Sequence, residues 1–125
     1  MKKITLYIIM GIIVLLPVAC GQQHQAKSVI QDFVEQFANE PSAYSSITIV
    51  KFDSTRVLSD SVIEKMRANA DTVQRYDTKR IKYADGPKEG KLFVARIKYS
   101  INGDDYSETY YLDDQLTHVI AFKTN

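Results

Sequence analysis

The chain is poor in the residues that build disulfides and metal sites. Its 125 residues include one cysteine, Cys20, and no tryptophan. No pair of cysteines is available for a disulfide, so the folded part must be stabilised by packing. The two histidines, His24 and His118, lie far apart in sequence, which argues against a zinc site. We expect neither a metal nor a cofactor.

Motifs of common enzyme classes are also missing. There is no glycine-rich phosphate-binding loop and no serine in a Gly-x-Ser-x-Gly setting. The acidic pairs Asp104-Asp105 and Asp113-Asp114 fall at predicted turns, and adjacent strand residues point to opposite faces, so they make poor catalytic dyads. Asn102-Gly103-Asp104 is faintly similar to a calcium loop, but no Glu stands at the twelfth position. We therefore expect no catalytic residue and a protein that is not an enzyme.

The charges are balanced. The whole chain has a formal net charge of +1. Residues 1–19 hold two of the sixteen basic residues and none of the fifteen acidic ones, so the remainder has a net charge of about −1. This balance argues against nucleic acid or anionic lipid as an electrostatic partner. The remaining length suits one domain with one core.

The long hydrophobic run lies at the N-terminus. A basic pair, an apolar run, a small residue and a cysteine follow one another as Lys2-Lys3, Ile4 to Val18, Ala19 and Cys20. This order is typical of a secretory signal peptide, predicted here for residues 1–19. The run is shorter than the ~20 residues that a transmembrane helix needs, and Pro17 disfavours a spanning helix.

Leu16-Pro17-Val18-Ala19-Cys20 resembles the lipobox of bacterial lipoproteins, although Pro17 stands where that family usually has Leu. The resemblance implies that the thiol of Cys20 is acylated with a diacylglycerol and that a peptidase cuts before Cys20. Two or more acyl chains make a stable membrane anchor. Gly21, rather than Asp, gives no signal for inner-membrane retention. We expect a lipid-anchored protein of the bacterial cell envelope, on the periplasmic face of the outer membrane.

Residues 20–25 are predicted to be the lipidated cysteine and a polar tether, and residues 26–125 a single α+β domain. A long amphipathic helix is indicated by apolar residues at three- and four-residue steps: Ala26, Val29, Ile30, Phe33, Val34 and Phe37. A second helix begins either in a capping box of Ser61 and Glu64 or at Ser59, with Leu58 stapled onto Ile63.

Alternation and turn residues predict strands within residues 44–57, 79–84, 91–101, 106–112 and 116–123. The apolar phase changes after Ile49, which predicts either a bulge or a strand that is partly buried on both sides. Asn102-Gly103 predicts a hairpin. A two-residue turn would place Glu108 opposite Ile97, whereas a three-residue loop would place Glu108 opposite Lys98. We favour the three-residue loop, because it pairs opposite charges and also sets Tyr110 against Arg96.

The predicted fold is α+β: a long N-terminal helix packed on a roughly four-stranded antiparallel sheet, with a second, shorter helix after the first strand. One helix against a curved sheet resembles cystatin-like and NTF2-like folds. Asn39-Glu40-Pro41-Ser42-Ala43-Tyr44 and the hairpin from Ile97 to Asp113 are similar to stretches of small uncharacterised bacterial lipoproteins. This resemblance implies a fold and an envelope location, but no catalytic residue. The Gln-Val-x-x-Gly turn of true cystatins is absent.

Tyrosines are the most conspicuous candidates for binding. Four of them cluster on two paired strands: Tyr99, Tyr106, Tyr110 and Tyr111. They predict either a binding face or ordinary sheet packing. We expect a non-catalytic binding or accessory module that presents its sheet to an envelope protein or a small ligand. The alternative is an enzyme or small-ligand binder with an NTF2-like pocket between helix and sheet, in which His118, otherwise predicted to be a core or rim histidine, or a buried acid would take part.

Overall fold

Two helices and one antiparallel sheet make up the part of the chain that the structure, a computed structural model, describes: residues 21–56, 58–73, 75–77, 79–84 and 91–125. The helices are α1, helical through residues 21–37, and α2, Asp60–Ala70. The strands are β1 (Thr48–Thr55), β2 (Leu92–Ile101), β3 (Asp104–Leu112) and β4 (Val119–Thr124), hydrogen-bonded in the order β1-β2-β3-β4. The predicted α+β class and element order are confirmed. The predicted leader and Cys20 lie outside the described residues.

Helix α1 covers one face of the sheet, which we call the inner face. Ala26, Ile30, Phe33 and Val34 are buried in one core with the strands. The ring of Phe33 lies 5.7 Å from that of Tyr110 and 5.6 Å from that of Phe122. Burying such a side chain contributes about 1.5–3 kcal/mol. The helix also includes residues 21–25, all exposed, for which a tether was predicted; the glutamines there are good helix formers.

The hairpin between β2 and β3 has a two-residue turn. Asn102 and Gly103 have φ angles of 52° and 88°, and Ile97 pairs with Glu108. The favoured three-residue loop was therefore wrong. A surface charge pair is worth a fraction of a kcal/mol, whereas slipping β3 by one residue would remove Tyr110 and Leu112 from the core. The consequence of the true register is that Glu108 enters the inner face.

Two irregularities shape the edge strands. The register of β1 shifts between Ile49 and Lys51, which confirms the predicted bulge. The pairing of β4 shifts opposite Tyr111 and Leu112. As a result Ile120 and Ala121 both join a second, outer core, although Phe122 packs in the inner one. Because of this bulge, side chains of β4 pack in both the inner and the outer core.

Helix α2 packs on that outer core. Its N-cap is Ser59, whose hydroxyl accepts a hydrogen bond from the N–H of Val62 at 3.4 Å, so the Ser59 alternative is the correct one. Ile63 and Met66 pack with Ile120 and Ala121. The helix covers the part of the outer face formed by β4 and by Leu92 at the start of β2, and Arg96 and Lys98 farther along β2 remain exposed.

The segment that leads back to the sheet is irregular. Residues 81–84, predicted as part of a strand, form no regular ladder, and their alternation reflects packing of the Ile81 and Tyr83 side chains against the core. The N–H of Ala84 donates to the carbonyl of Val119 at 3.1 Å. Arg67 on α2 fastens this region by donating to the carbonyls of Ala84 and Ile120 at 2.7 and 2.9 Å.

Candidate functional site

The four tyrosines predicted as a binding surface are divided between the two faces of the sheet. Tyr99 and Tyr110 are 3% and 0% exposed and belong to the inner core. Tyr106 lies half-buried on the same face, opposite Tyr99. Tyr111 lies half-buried on the outer face, beside the α2 core. The structure therefore brings three of them together inside the protein and leaves one on the open side.

The inner core contains a charged residue that the sequence analysis placed at a paired surface position. Glu108 is 0% exposed. Its Oε1 accepts a hydrogen bond from the hydroxyl of Tyr76 at 2.7 Å and lies 3.2 Å from the hydroxyl of Tyr110. Its Oε2 lies 3.2 Å from Nη2 of Arg75. We call Glu108, Arg75, Tyr76 and Tyr110 the Glu108 cluster.

Burial dominates the electrostatics of the Glu108 cluster. It raises the pKa of Glu108, against the opposing effects of the Tyr76 hydrogen bond and the Arg75 charge. Burial likewise raises the pKa of Tyr76 and of Tyr110, and the nearby Glu108 carboxylate adds to both shifts. Both tyrosines therefore keep their protons and remain donors at neutral pH. Glu108 has no exposed surface, so this acid is sealed inside the fold.

Next to the Glu108 cluster, three buried polar atoms have no hydrogen-bond partner among the described residues. They are Oη of Tyr44, Oη of Tyr99 and Nε of Arg75. The rings of Tyr44 and Tyr99 stack with centroids 4.7 Å apart, and the Arg75 guanidinium lies 4.2 Å from the centroid of the Tyr106 ring. The Tyr99 hydroxyl nevertheless lies close enough to Arg75 and Glu108 to influence the pKa of both, and the Tyr44 hydroxyl likewise interacts with Tyr76 and Tyr99, so these groups extend the buried polar network of the Glu108 cluster.

The open part of the outer face is basic. The register aligns one residue from each strand in a single row across the sheet, namely Lys51, Arg96, Thr109 and Lys123. Lys98 lies in a neighbouring row of the same face. We call Lys51, Arg96, Lys98 and Lys123 the basic face. All four are exposed, and none forms an ion pair with another described residue.

Two acids, Asp53 and Asp105, also lie on this face, and Asp53 lines the same depression as Lys51 and Arg96, but neither forms an ion pair with a described residue. Asp53 accepts a hydrogen bond from the N–H of Ser54 at 2.7 Å, and Asp105 accepts one from the hydroxyl of Ser100, also at 2.7 Å. A shallow depression of about 250 Å³ lies along the row, with Val94 and Tyr111 beside the cations. The basic face is thus a cationic surface with an aromatic and an aliphatic side chain at its edge.

A groove also lies between α1 and the irregular segments at residues 82–84 and 117–118, with Val119 of β4 at its edge. It has a volume of about 450 Å³, an apolar part that includes Phe33, Phe37 and Tyr83, and His118 among its polar residues. His118 precedes β4 and its side chain is 70% exposed, so it is not the core histidine of a strand. Its Nδ1 lies 2.9 Å from the hydroxyl of Thr117. No buried acid lines this groove.

The turn that carries His118 is fixed by Asp113. The Asp113 carboxylate accepts hydrogen bonds from the hydroxyl and N–H of Thr117 and from the N–H of His118. Partial burial by itself raises the pKa of the Asp113 carboxyl. The hydrogen bonds outweigh this effect, so the pKa of Asp113 lies below its ordinary value. Asp113 is therefore an ionised structural acceptor.

Comparison with known proteins assigns no function to this chain. No protein-family model matches the chain, and neither curated proteins nor solved structures give a significant match. Within the described ranges, no three His, Cys, Asp or Glu side chains are grouped as metal ligands. No helix in that same part of the chain has the length and hydropathy to cross a membrane.

Proposed function

We propose that this chain is a lipid-anchored, non-catalytic binding module of the bacterial cell envelope, and that its basic face binds an acidic protein partner. The observation that supports this most strongly is the row of Lys51, Arg96 and Lys123 across the sheet without an acidic partner. The anchor is proposed from the lipobox-like segment that ends at Cys20.

Two cations of the basic row face each other. Lys51 lies directly opposite Arg96, and like charges in facing positions are destabilising by about 0.2–1 kcal/mol. Thr109 separates Arg96 from Lys123, and its hydroxyl is engaged with Asn125 at 3.1 Å. A partner that brings carboxylates to this row would remove the repulsion and form charge-assisted hydrogen bonds. Relief of this repulsion on binding would thus contribute to the affinity for an acidic partner.

The composition of the surface favours a protein over a phosphate-rich polymer. Arginine and tyrosine are enriched in protein interfaces, and Arg96 and Tyr111 share this face with the half-buried Val94. Nucleic-acid surfaces neutralise many phosphates and are strongly positive, whereas the chain beyond residue 19 has a net charge of about −1. A local cationic face on a near-neutral protein is complementary in charge to a single acidic patch on a protein partner.

The groove beside His118 supports a second candidate, a small-ligand binder. Its volume of about 450 Å³ lies within the range of about 300–1,000 Å³ that small-molecule sites occupy. An enzyme in this groove would need a perturbed acid close to the substrate. Glu108, whose pKa burial raises, lies inside the inner core and away from the groove, and Asp113, whose pKa is lowered, serves as the acceptor that holds Thr117 and His118 in place. The groove therefore suits binding better than catalysis.

The test compares two triple variants in the bacterium that carries the protein. The first replaces Lys51, Arg96 and Lys123 with Glu. The control replaces three exposed lysines elsewhere with Glu: Lys65, Lys79 and Lys82. After chemical crosslinking in the intact envelope, we expect the wild type and the control to be joined to the same acidic protein and the basic-face variant to lose it. Equal crosslinking of both triple variants, or no specific adduct with wild type, would refute the proposal.

A further inference from the structure

The two edges of the sheet differ in what covers them. At the β4 edge, Ala84 donates its N–H to the carbonyl of Val119 at 3.1 Å, and Arg67 donates to the carbonyl of Ile120 at 2.9 Å. At the other edge, β1 pairs with β2 alone. Outside that pairing, residues 48–54 form no backbone-to-backbone hydrogen bond with another described residue. The β1 edge therefore offers outward N–H and C=O groups to an added strand.

The side chains along the β1 edge are apolar on one face of the sheet and charged on the other. Ile49 and Phe52 lie half-buried on the inner face. Lys51 and Asp53 are exposed on the outer face, two residues apart. Val50, at the bulge, is 48% exposed and is thus an exposed apolar residue on an open edge. An added strand would reduce the exposure of the apolar side chains and would meet one cation and one anion.

A second copy of this chain matches that order of charges. When two identical strands pair antiparallel about a two-fold axis, residues that face each other lie on the same face of the joined sheet. An axis at Lys51 sets lysine against lysine, and an axis at Asp53 sets aspartate against aspartate. An axis at Phe52 sets Lys51 of each copy against Asp53 of the other. Of these registers, the one centred on Phe52 forms opposite-charge pairs, and it forms them twice by symmetry.

The geometry of the edges also limits the assembly to two copies. The regular register of β1 with β2 begins again at Lys51, after the shift that follows Ile49. A bulge and charged side chains protect an edge against indiscriminate strand addition, so the pairing is confined to a short segment. A two-fold contact occupies the β1 edge of both copies at once. The hydrogen bonds from Ala84 and Arg67 cover both β4 edges, and the joined sheet therefore does not grow further.

We propose that two copies of this chain form a homodimer by antiparallel pairing of their β1 strands, with reciprocal Lys51–Asp53 pairs on the outer face and the two Phe52 rings together on the inner face. The joined sheet places the two basic faces side by side on one surface. Arg96, Lys98 and Lys123 lie on β2 and β4, away from the joined edge. Dimerisation therefore does not depend on the acidic partner of the proposed function.

The test traps the dimer in the bacterium that carries the protein. Two full-length copies with different tags are co-expressed, and one of them has a photoreactive phenylalanine derivative in place of Phe52, which keeps an aromatic ring there. After illumination, the yield of the adduct between the two tags is measured. We expect an adduct between wild-type copies, and none when the photoreactive residue stands at exposed Lys65 on α2.

Charge reversal then tests the register. With Lys51→Asp in both copies aspartate faces aspartate, and with Asp53→Lys in both copies lysine faces lysine. Each should reduce the adduct yield about tenfold, because two attractive pairs become two repulsive ones. With Lys51→Asp in one copy and Asp53→Lys in the other, both opposite-charge pairs return, and the yield should recover to that of wild type.

Matched controls separate these effects from loss of folding and from loss of the acidic partner. Lys65→Asp and Glu64→Lys reverse exposed charges on α2 and should leave the yield unchanged in every combination. Melting temperatures show whether each variant is folded. Asp53→Lys removes no cation from the basic face, so the acidic partner should still crosslink to it although the dimer is lost.

Three outcomes would overturn the dimer. The first is the absence of an adduct between wild-type copies from position 52. The second is an unchanged yield when both copies carry Lys51→Asp or both carry Asp53→Lys. The third is a mixed pair of these two folded variants whose yield stays as low as that of each variant with itself.

Discussion

Replacing Glu108 with Ala should be among the most destabilising single substitutions in this protein. Glu108 is fully buried and faces the hydroxyls of Tyr76 and Tyr110 and the guanidinium of Arg75. Removing the carboxylate leaves Arg75, a partly buried cation, without its counter-charge; the Tyr76 and Tyr110 hydroxyls still hydrogen-bond each other at 2.9 Å, which leaves one of the two without an acceptor. Breaking a buried charge pair in this way costs about 3–5 kcal/mol. Total stabilities are of order 5–15 kcal/mol, so the variant should be near the limit of folding.

Two further substitutions separate the contributions. Glu108→Gln keeps an amide oxygen for the two tyrosines but turns an NH2 group, which cannot accept a hydrogen bond, toward Arg75 and so loses the Arg75 contact; we expect a smaller loss than for Ala, about 1–3 kcal/mol. Glu64→Ala removes an exposed acid on α2 and should lie within about 0.5 kcal/mol of wild type. The assay is urea unfolding monitored by circular dichroism. If Glu108→Ala were as stable as Glu64→Ala, the Glu108 cluster would not be a structural element of the core.

Wild type and Glu108→Gln together give a test of the pH dependence of stability. Because burial raises the pKa of Glu108 in the folded state, the folded protein holds this proton more tightly than the unfolded chain. The stability that Glu108 contributes is therefore greatest below its unfolded pKa of about 4.3 and is lost as the pH rises through the folded pKa. Glu108→Gln lacks this proton. Its stability relative to wild type should rise with increasing pH, and a constant difference would contradict the raised pKa.

Three other substitutions test the turn, the basic face and the anchor. Gly103→Ala should cost about 1 kcal/mol in urea unfolding, because Gly103 has a φ of 88° that an L-residue adopts with strain; no loss would count against the observed turn. Lys51→Glu should raise stability by about 0.2–1 kcal/mol, because it puts a negative charge opposite Arg96, while it weakens crosslinking to the acidic partner; weaker folding would contradict the repulsion argument. Cys20→Ala should leave the leader uncut or move the protein out of the membrane fraction, and normal processing with unchanged detergent partitioning would rule out the lipid anchor.

Local patterns predicted the helices and the bulge well. The spacing of Ala26, Ile30 and Phe33 predicted the buried stripe of α1, and the phase change after Ile49 predicted the irregular pairing of β1. Ser59 was one of two predicted caps for α2, and its hydroxyl makes the capping bond. These features depend on residues within one or two turns of each other, so the sequence contains all that determines them.

The register of the hairpin depended on a balance that local reasoning weighed wrongly. A facing pair of opposite charges was visible in the sequence, whereas the burial of Tyr110 and Leu112 depends on α1, which lies far away along the chain. The burial of these two side chains contributes more to stability than the charge pair does, and it therefore determines the register. Because the favoured register was wrong, Glu108 was placed beside Lys98, and its place among Tyr76, Tyr110 and Arg75 was missed. The available signal was an acid surrounded by tyrosines in a strand that otherwise alternates.

The basic face could not be predicted from the sequence, for a different reason. Lys51, Arg96 and Lys123 belong to three strands and align only through three separate strand pairings, the middle one through Thr109. The near-neutral total charge gave no sign of this separation, because net charge averages over all faces of a protein. A strand pairing map was needed before the cations could be seen as one row.

The most direct test of the proposed function is site-specific photocrosslinking in living cells. A photoreactive amino acid is placed at Lys98 in the basic face and, in a separate variant, at exposed Lys65 on α2. We predict that the residue at position 98 forms an adduct with one acidic envelope protein, that rising salt during isolation of uncrosslinked complexes releases the same protein, and that the residue at position 65 forms none. Adducts of equal yield from both positions, or none from position 98, would contradict the proposal that the open sheet face is the binding surface.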